Sequence, residues 1–242
     1  MIHIFRREFA AFLNSLIAYI VIGVFLTAIG LLMWVFPETS VLEYGYADMD
    51  TLFSLGPYVF IFLIPAITMR SFAEEKRAGT MELLLTRPLT DWSIITGKYF
   101  ASFMLVVFSI LPTLIYYISV YTLGDPPGNL DRSGIAGAYV GLVLLGGVFC
   151  AVGIFASSVT TNQVVAFIVA AFLCFLLYTG FDSLSAINVW FSQALLIKQL
   201  GLLYHYEALG KGLIDSRNLL YLISVAFVFL LLTKMVIGSR SW

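Results

Sequence analysis

The chain holds two histidines and two cysteines, and no familiar catalytic spacing surrounds them. There is no H-E-x-x-H, no G-x-S-x-G and no group of Cys and His at metal-ligand spacing. Cys150 and Cys174 lie inside apolar runs and read as small hydrophobic fillers. His205 and Glu207 sit two residues apart, yet nothing nearby supports acid–base work, and a capping or packing role is expected of them. Lys98 follows Gly97, but Trp92 stands where a phosphate-binding loop needs its first glycine, and Tyr99 follows the lysine. The sequence therefore predicts no enzymatic site, no metal and no cofactor held by this chain.

The chemistry that remains is charge. The run from Arg70 to Pro88 contains Glu74, Glu75, Lys76, Arg77, Glu82 and Arg87 in a sequence with only 11% charged residues. Its punctuation is helical: a helix entering from the preceding apolar segment can continue past Glu75 and stop at Gly79. Thr80 then suits the N-cap of a new short helix, with Glu82 near its positive end. Pro88 stops that helix, and Thr90 with Asp91 can cap the next one. Met81, Leu84 and Leu85 would share one side of the short helix, an apolar knob framed by charge that a soluble partner could grip. The plainer reading is a solvated membrane flank whose leucines lie on lipid.

The elements that must position this run are set by composition. The chain is 61% hydrophobic, and 11% charge is far below the roughly 25% of a soluble domain, so lipid must be its solvent. Residues 1–15 place Ile2, Phe5, Phe9 and Phe12 at helical spacing opposite Arg6, Arg7, Glu8 and Asn14. That pattern suits an interfacial helix with basic residues toward lipid phosphate, or else a plain extension of the first span. Leu16 to Phe36 is uncharged, and about 20 such residues cross the roughly 30 Å of hydrocarbon. Further spans are expected at 51–69, 99–121, 136–157, 164–181 and 219–237, with bends at Pro65 and Pro112. Gly137 and Gly141 form a G-x-x-x-G pair in the fourth span, suited to close helix packing inside the bundle. Residues 157–163 form a polar turn, and residues 182–218 are too long for a bare loop and suit short helices on or dipping into the outer leaflet.

Lys and Arg fix the expected orientation. Arg6, Arg7, Arg70, Lys76, Arg77, Arg87, Lys98, Lys234 and Arg240 fall on one side, and Arg132, Lys198, Lys211 and Arg217 on the other. The bias places both termini and the 70–98 segment in the cytoplasm. No small-residue cleavage site follows the first apolar run, so no cleavable signal is expected. A net charge of −1 gives no reason to expect nucleic acid. The spans are almost free of ionisable groups, which argues against a proton-coupled carrier and requires energy from elsewhere.

The run Glu74-Glu75-Lys76-Arg77-Ala78-Gly79-Thr80-Met81-Glu82-Leu83-Leu84-Leu85-Thr86-Arg87-Pro88-Leu89, with Gly97-Lys98-Tyr99 after it, resembles the permease subunits of type-2 ABC transporters. The segment from His205-Tyr206-Glu207 to Lys211-Gly212-Leu213-Ile214-Asp215 is similar to a recurrent element of the same group. Phe62 to Phe72 and Gly128 to Asp131 look like the permeases of the gliding-motility ABC complex. The resemblance implies an all-α polytopic membrane protein with six transmembrane helices, an interfacial helix carrying Arg6 and Arg7, and a cytosolic coupling helix. It also implies a re-entrant or interfacial segment before the last span. Glu74, Glu75, Gly79, Thr80 and Glu82 would belong to the coupling element. ATP and Mg would sit on a separate cytosolic ATPase subunit. The second membrane half would be another copy or a larger partner of the GldG type, in a bacterial inner membrane. A membrane scaffold without an ATPase is the alternative.

Overall fold

A backbone that crosses hydrocarbon must pair its amides and carbonyls internally, which a helix does within one segment. In the computed structural model, which describes residues 2–43, 46–81, 90–186, 194–212 and 215–239, every regular element is helical. In chain order these are α1 (Ile2–Leu13), α2 (Leu16–Trp34), α3 (Asp50–Thr68), α4 (Arg70–Arg77) and α5 (Asp91–Ile110). A 3₁₀ turn (Leu111–Thr113) joins α5 to α6 (Leu114–Leu123). Then come α7 (Arg132–Val159), α8 (Gln163–Phe175), a π turn (Leu176–Gly180), α9 (Phe181–Ser185), α10 (Ala194–Gln199), α11 (Leu202–Gly210) and α12 (Ser216–Gly238). Merged across their bends, six rods among the described residues are long and apolar enough to cross a membrane. The chain is a multi-pass membrane protein.

The rods start and stop where caps occur rather than where hydropathy changes. The third begins at Asp91, eight residues before the expected Tyr99, because the Thr90 hydroxyl accepts from the Ser93 amide and no breaker follows. The fourth begins at Arg132 because Asp131 accepts from the Ser133 and Gly134 amides, both at 3.1 Å. It ends at Val159, so Ser157 and Ser158 are helical and the expected turn is confined to 160–162. Pro57 and Pro65 both lie inside α3, and the interruption expected near Pro65 falls instead at Met69. Pro112 sits in the 3₁₀ turn.

The central rod is α7, whose apolar window is 78% buried against 22–33% for α2, α5–α6, α8–α9 and α12. Those four leave most of their surface facing outward from the bundle, and α7 spends its own on neighbours. Its glycines make this possible. A Cβ on Gly137 would collide with the Leu209 carbonyl, and one on Gly141 would come within 3.2 Å of the Tyr206 ring. The G-x-x-x-G pair thus faces α11, part of the 182–218 connection, rather than another full span. Leu202, Tyr206 and Leu209 form the buried face of α11, following a helical i, i+4, i+7 stripe. Cys150 and Cys174 are both buried in the core of the bundle.

At the other end, α1 lies against α5. Ile4 is the buried residue of α1, while Ile2, expected on the apolar face, is 64% exposed. Phe5 stacks on Phe9, and Phe9 stacks on Phe108 of α5. Gly137→Ala is expected to lower stability by at least about 2 kcal/mol through overpacking. Gly23→Ala, where nothing lies within 4 Å, should be neutral or slightly stabilising. Thermal unfolding in detergent compares the two.

Candidate functional site at the α4 junction

The charged run is organised locally by its glycine. Gly79 adopts a φ of +67°, open to a residue without Cβ. The Gly79 amide bonds the Lys76 carbonyl and the Thr80 amide bonds the Glu75 carbonyl, which together form a Schellman stop for α4. The expected helix end at Gly79 is therefore present. The Thr80 hydroxyl donates back to the Glu75 carbonyl at 3.4 Å, serving the end of α4. Met81 differs from expectation: it is 4% exposed and packs into the chain's own core, because the turn at Gly79 returns the backbone to the bundle. Glu82, Leu84 and Leu85 lie outside the described residues.

Where α3 hands over to α4, a side chain from α7 replaces the missing helical bonds. Ser157 Oγ donates to the Met69 carbonyl at 2.9 Å and accepts from the Phe72 and Ala73 amides at 2.9 and 3.0 Å. In an unbroken helix the Ala73 amide would reach the Met69 carbonyl directly, so the hydroxyl is interposed in the ladder. Next to it, the Lys76 ammonium donates to the Ser158 carbonyl. That carbonyl belongs to the last turn of α7, where acceptors have no helical donor and the dipole favours a cation. The short helix α4 is therefore fixed to the central rod by two adjacent residues of α7.

A charge cluster fixes the other side. Lys98 of α5, only 2% exposed, donates to Glu75 Oε1 at 2.8 Å and to Glu8 Oε1 at 3.3 Å. Arg7 bonds Glu8 at 2.6 Å and reaches Glu75 at 3.5 Å. The Lys98 ammonium also stands 5.2 Å from the centre of the Phe72 ring. Two carboxylates and two cations balance, which is the condition for holding charge beside hydrocarbon. Burial works against ionisation of Glu8, but Lys98 and Arg7 outweigh it and hold the carboxyl below its ordinary range. Glu75 Oε2 is buried and has no hydrogen-bond partner among the described residues.

Of the residues singled out from sequence, Arg7, Glu75 and Lys76 meet at this junction. Arg6, Glu74 and Arg77 are exposed around it, and Gly137 and Gly141 lie at the opposite end of α7. Arg7 was expected to face lipid phosphate but is engaged with two carboxylates. Glu8, Lys98, Ser157 and Ser158 were not foreseen. Lys98 carried a signal, since a lysine seven residues into a membrane helix needs an anion, and Glu8 faces it.

Lys98→Met should cost about 3 kcal/mol, the low end for stripping one partner from a buried pair. Since the folded-state pKa of Glu8 is depressed, its contribution is present above the ordinary carboxylate range and disappears as pH falls through the folded value. Unfolding curves taken from neutral to acid pH should show wild type losing stability in that window, and the lysine variant losing less. Ser157→Ala should cost about 1–3 kcal/mol by leaving the Met69 carbonyl and two amides unpaired, whereas Ser157→Thr retains most of the stability.

Comparison with curated proteins gives no match. The family described as ABC-2 family transporter protein matches residues 40–236, from the loop after α2 to the last turn of α12. With the whole of α3 to α11 inside that match, including Glu75, Lys76, Lys98 and Ser157 of the junction, the chain belongs to the ABC-2 family of transporter proteins.

Proposed function

We propose that the chain is the membrane half of an ATP-driven transporter and that residues 74–89 receive the force of a separate ATPase. The observation that carries this reading is the anchoring of α4. A segment that merely flanked the membrane would need no hydroxyl wedge, no lysine on a helix end and no buried charge cluster. Through these contacts a displacement at Gly79–Met81 reaches α7 by way of Ser157 and reaches α5 and α1 by way of Lys98 and Glu8. The chain itself hydrolyses no ATP in this reading, and ATP with Mg belongs to the partner.

The nine-to-four distribution of Lys and Arg supports a cytoplasmic α4 end with both termini on that side, in a bacterial inner membrane. The unpaired Glu75 oxygen lies at this same end. Six rods make half of a two-part permease, so a second copy or a larger membrane subunit completes it. The motifs at Phe62–Phe72 and Gly128–Asp131 favour the gliding-motility complex, with a GldF-like role for this chain beside a GldG-type partner. The work done would then be export or a mechanical action on the envelope.

Purification in mild detergent should bring down an ATPase and a second membrane subunit with vanadate-sensitive turnover. Leu84→Asp or Leu85→Asp should abolish that turnover while leaving membrane insertion intact. Full activity in both variants, or purification of the chain alone, would overturn the docking assignment.

A further inference from the structure

Pro57 lies in the middle of α3 and has no amide hydrogen, so the Phe53 carbonyl four residues before it loses its helical donor. Within a membrane bundle such a carbonyl must be paired by something else. The donor is the Tyr206 hydroxyl, at 2.7 Å and 153 residues away, from α11. Tyr206 is 5% exposed. Its ring is set against Gly141 of α7 and edge-on to Tyr178, which sits in the π turn after α8. Tyr178 in turn meets Tyr58 of α3 and Phe149 of α7 edge-on.

The neighbouring residue faces a different rod. His205 Nδ1 lies 2.7 Å from Asn218 Oδ1, its Nε2 lies 2.9 Å from the Gln199 carbonyl, and its ring stacks on Tyr221 of α12. Residues 205 and 206 therefore tie α11 to α12 and to α3 respectively. These links differ in kind. The α12 link joins elements close in sequence, whereas the α3 link is a hydrogen bond to a carbonyl that a proline has left open. It also lies on the rod that leads to α4 and the candidate coupling segment.

We propose that Tyr206 is a positioning residue that latches α11 onto the proline-opened step of α3. It closes the end of the bundle opposite α4 and releases when α3 moves relative to α7. This role rests on the transporter reading above; the latch itself does not. In its released state α11 stays with α12 through His205, and the Tyr206–Phe53 bond is the contact that breaks.

The test is a double-mutant cycle read two ways. Tyr206→Phe removes the donor and leaves the carbonyl unpaired, so its Tm should fall. Pro57→Ala returns an amide to the Phe53 carbonyl, and in that background Tyr206→Phe should shift Tm little. The double variant also serves if the single one fails to fold. Amide hydrogen exchange of residues 202–210 reads the latch. Exchange should rise at least tenfold in Tyr206→Phe and stay high in the double variant, because restoring the carbonyl's partner does not restore the link. Strictly additive Tm changes, or unchanged exchange, would overturn the latch. In the complex with its ATPase, trapping with ATP and vanadate should bring wild-type exchange at 202–210 toward the level of Tyr206→Phe. Exchange indifferent to nucleotide would overturn the closing role. Absence of any co-purifying ATPase would overturn the transporter reading while leaving the cycle interpretable.

Discussion

The Ser157 hydroxyl at the Met69 break is the contact on which the architecture at the α4 end turns. Hydrocarbon tolerates a broken helix only where something else pairs the freed groups. One buried serine does so for a carbonyl and two amides together. The same device recurs at the other end of the bundle, where Tyr206 pairs the carbonyl that Pro57 leaves open. In both places α3 is irregular and another element supplies the missing partner. For Ser157 that element is α7. For Tyr206 it is α11, which packs on α7 through Gly137 and Gly141. The irregularities of α3 are therefore also its fastenings to the centre of the bundle.

The charge cluster obeys a similar constraint with different chemistry. A lysine 2% exposed in a membrane rod would be costly alone, and its presence implies anions from elsewhere in the fold. Glu8 comes from the first helix and Glu75 from α4, so three elements, the first of them far from the other two in sequence, are tied at one ammonium. Such a cluster adds little net stability relative to an apolar replacement, but it punishes the separation of its parts. That property would suit a junction moving as a unit in the coupling role proposed above.

In the coupling role proposed above, a helix anchored on α7, α5 and α1 at once would distribute a local push, whereas a helix held by lipid contacts alone would yield. The long central rod then spans the distance to α11, and the small residues along α7 keep its neighbours close enough to respond.

The sequence by itself determined that the chain is helical and membrane-embedded, that six segments cross, and that Gly79 ends a charged helix. These follow from composition, run length and the φ preference of glycine, which are local properties. It also marked Gly137 and Gly141 as packing residues, but not what they pack against. The rod ends moved because capping by Thr90, Asp131 and Asp215 sets where helices begin, whereas hydropathy marks only where charge thins. Lys98 read as one of many flanking cations, Ser157 as part of a turn and Tyr206 as part of a segment similar to a family element, with no partner assigned to it. Each acquired its role from a partner roughly 90 to 150 residues away, at Glu8, Met69 or Phe53. Only the tertiary structure decides such pairings, because the need for a partner arises from burial, and burial is a property of the packed bundle rather than of any one segment.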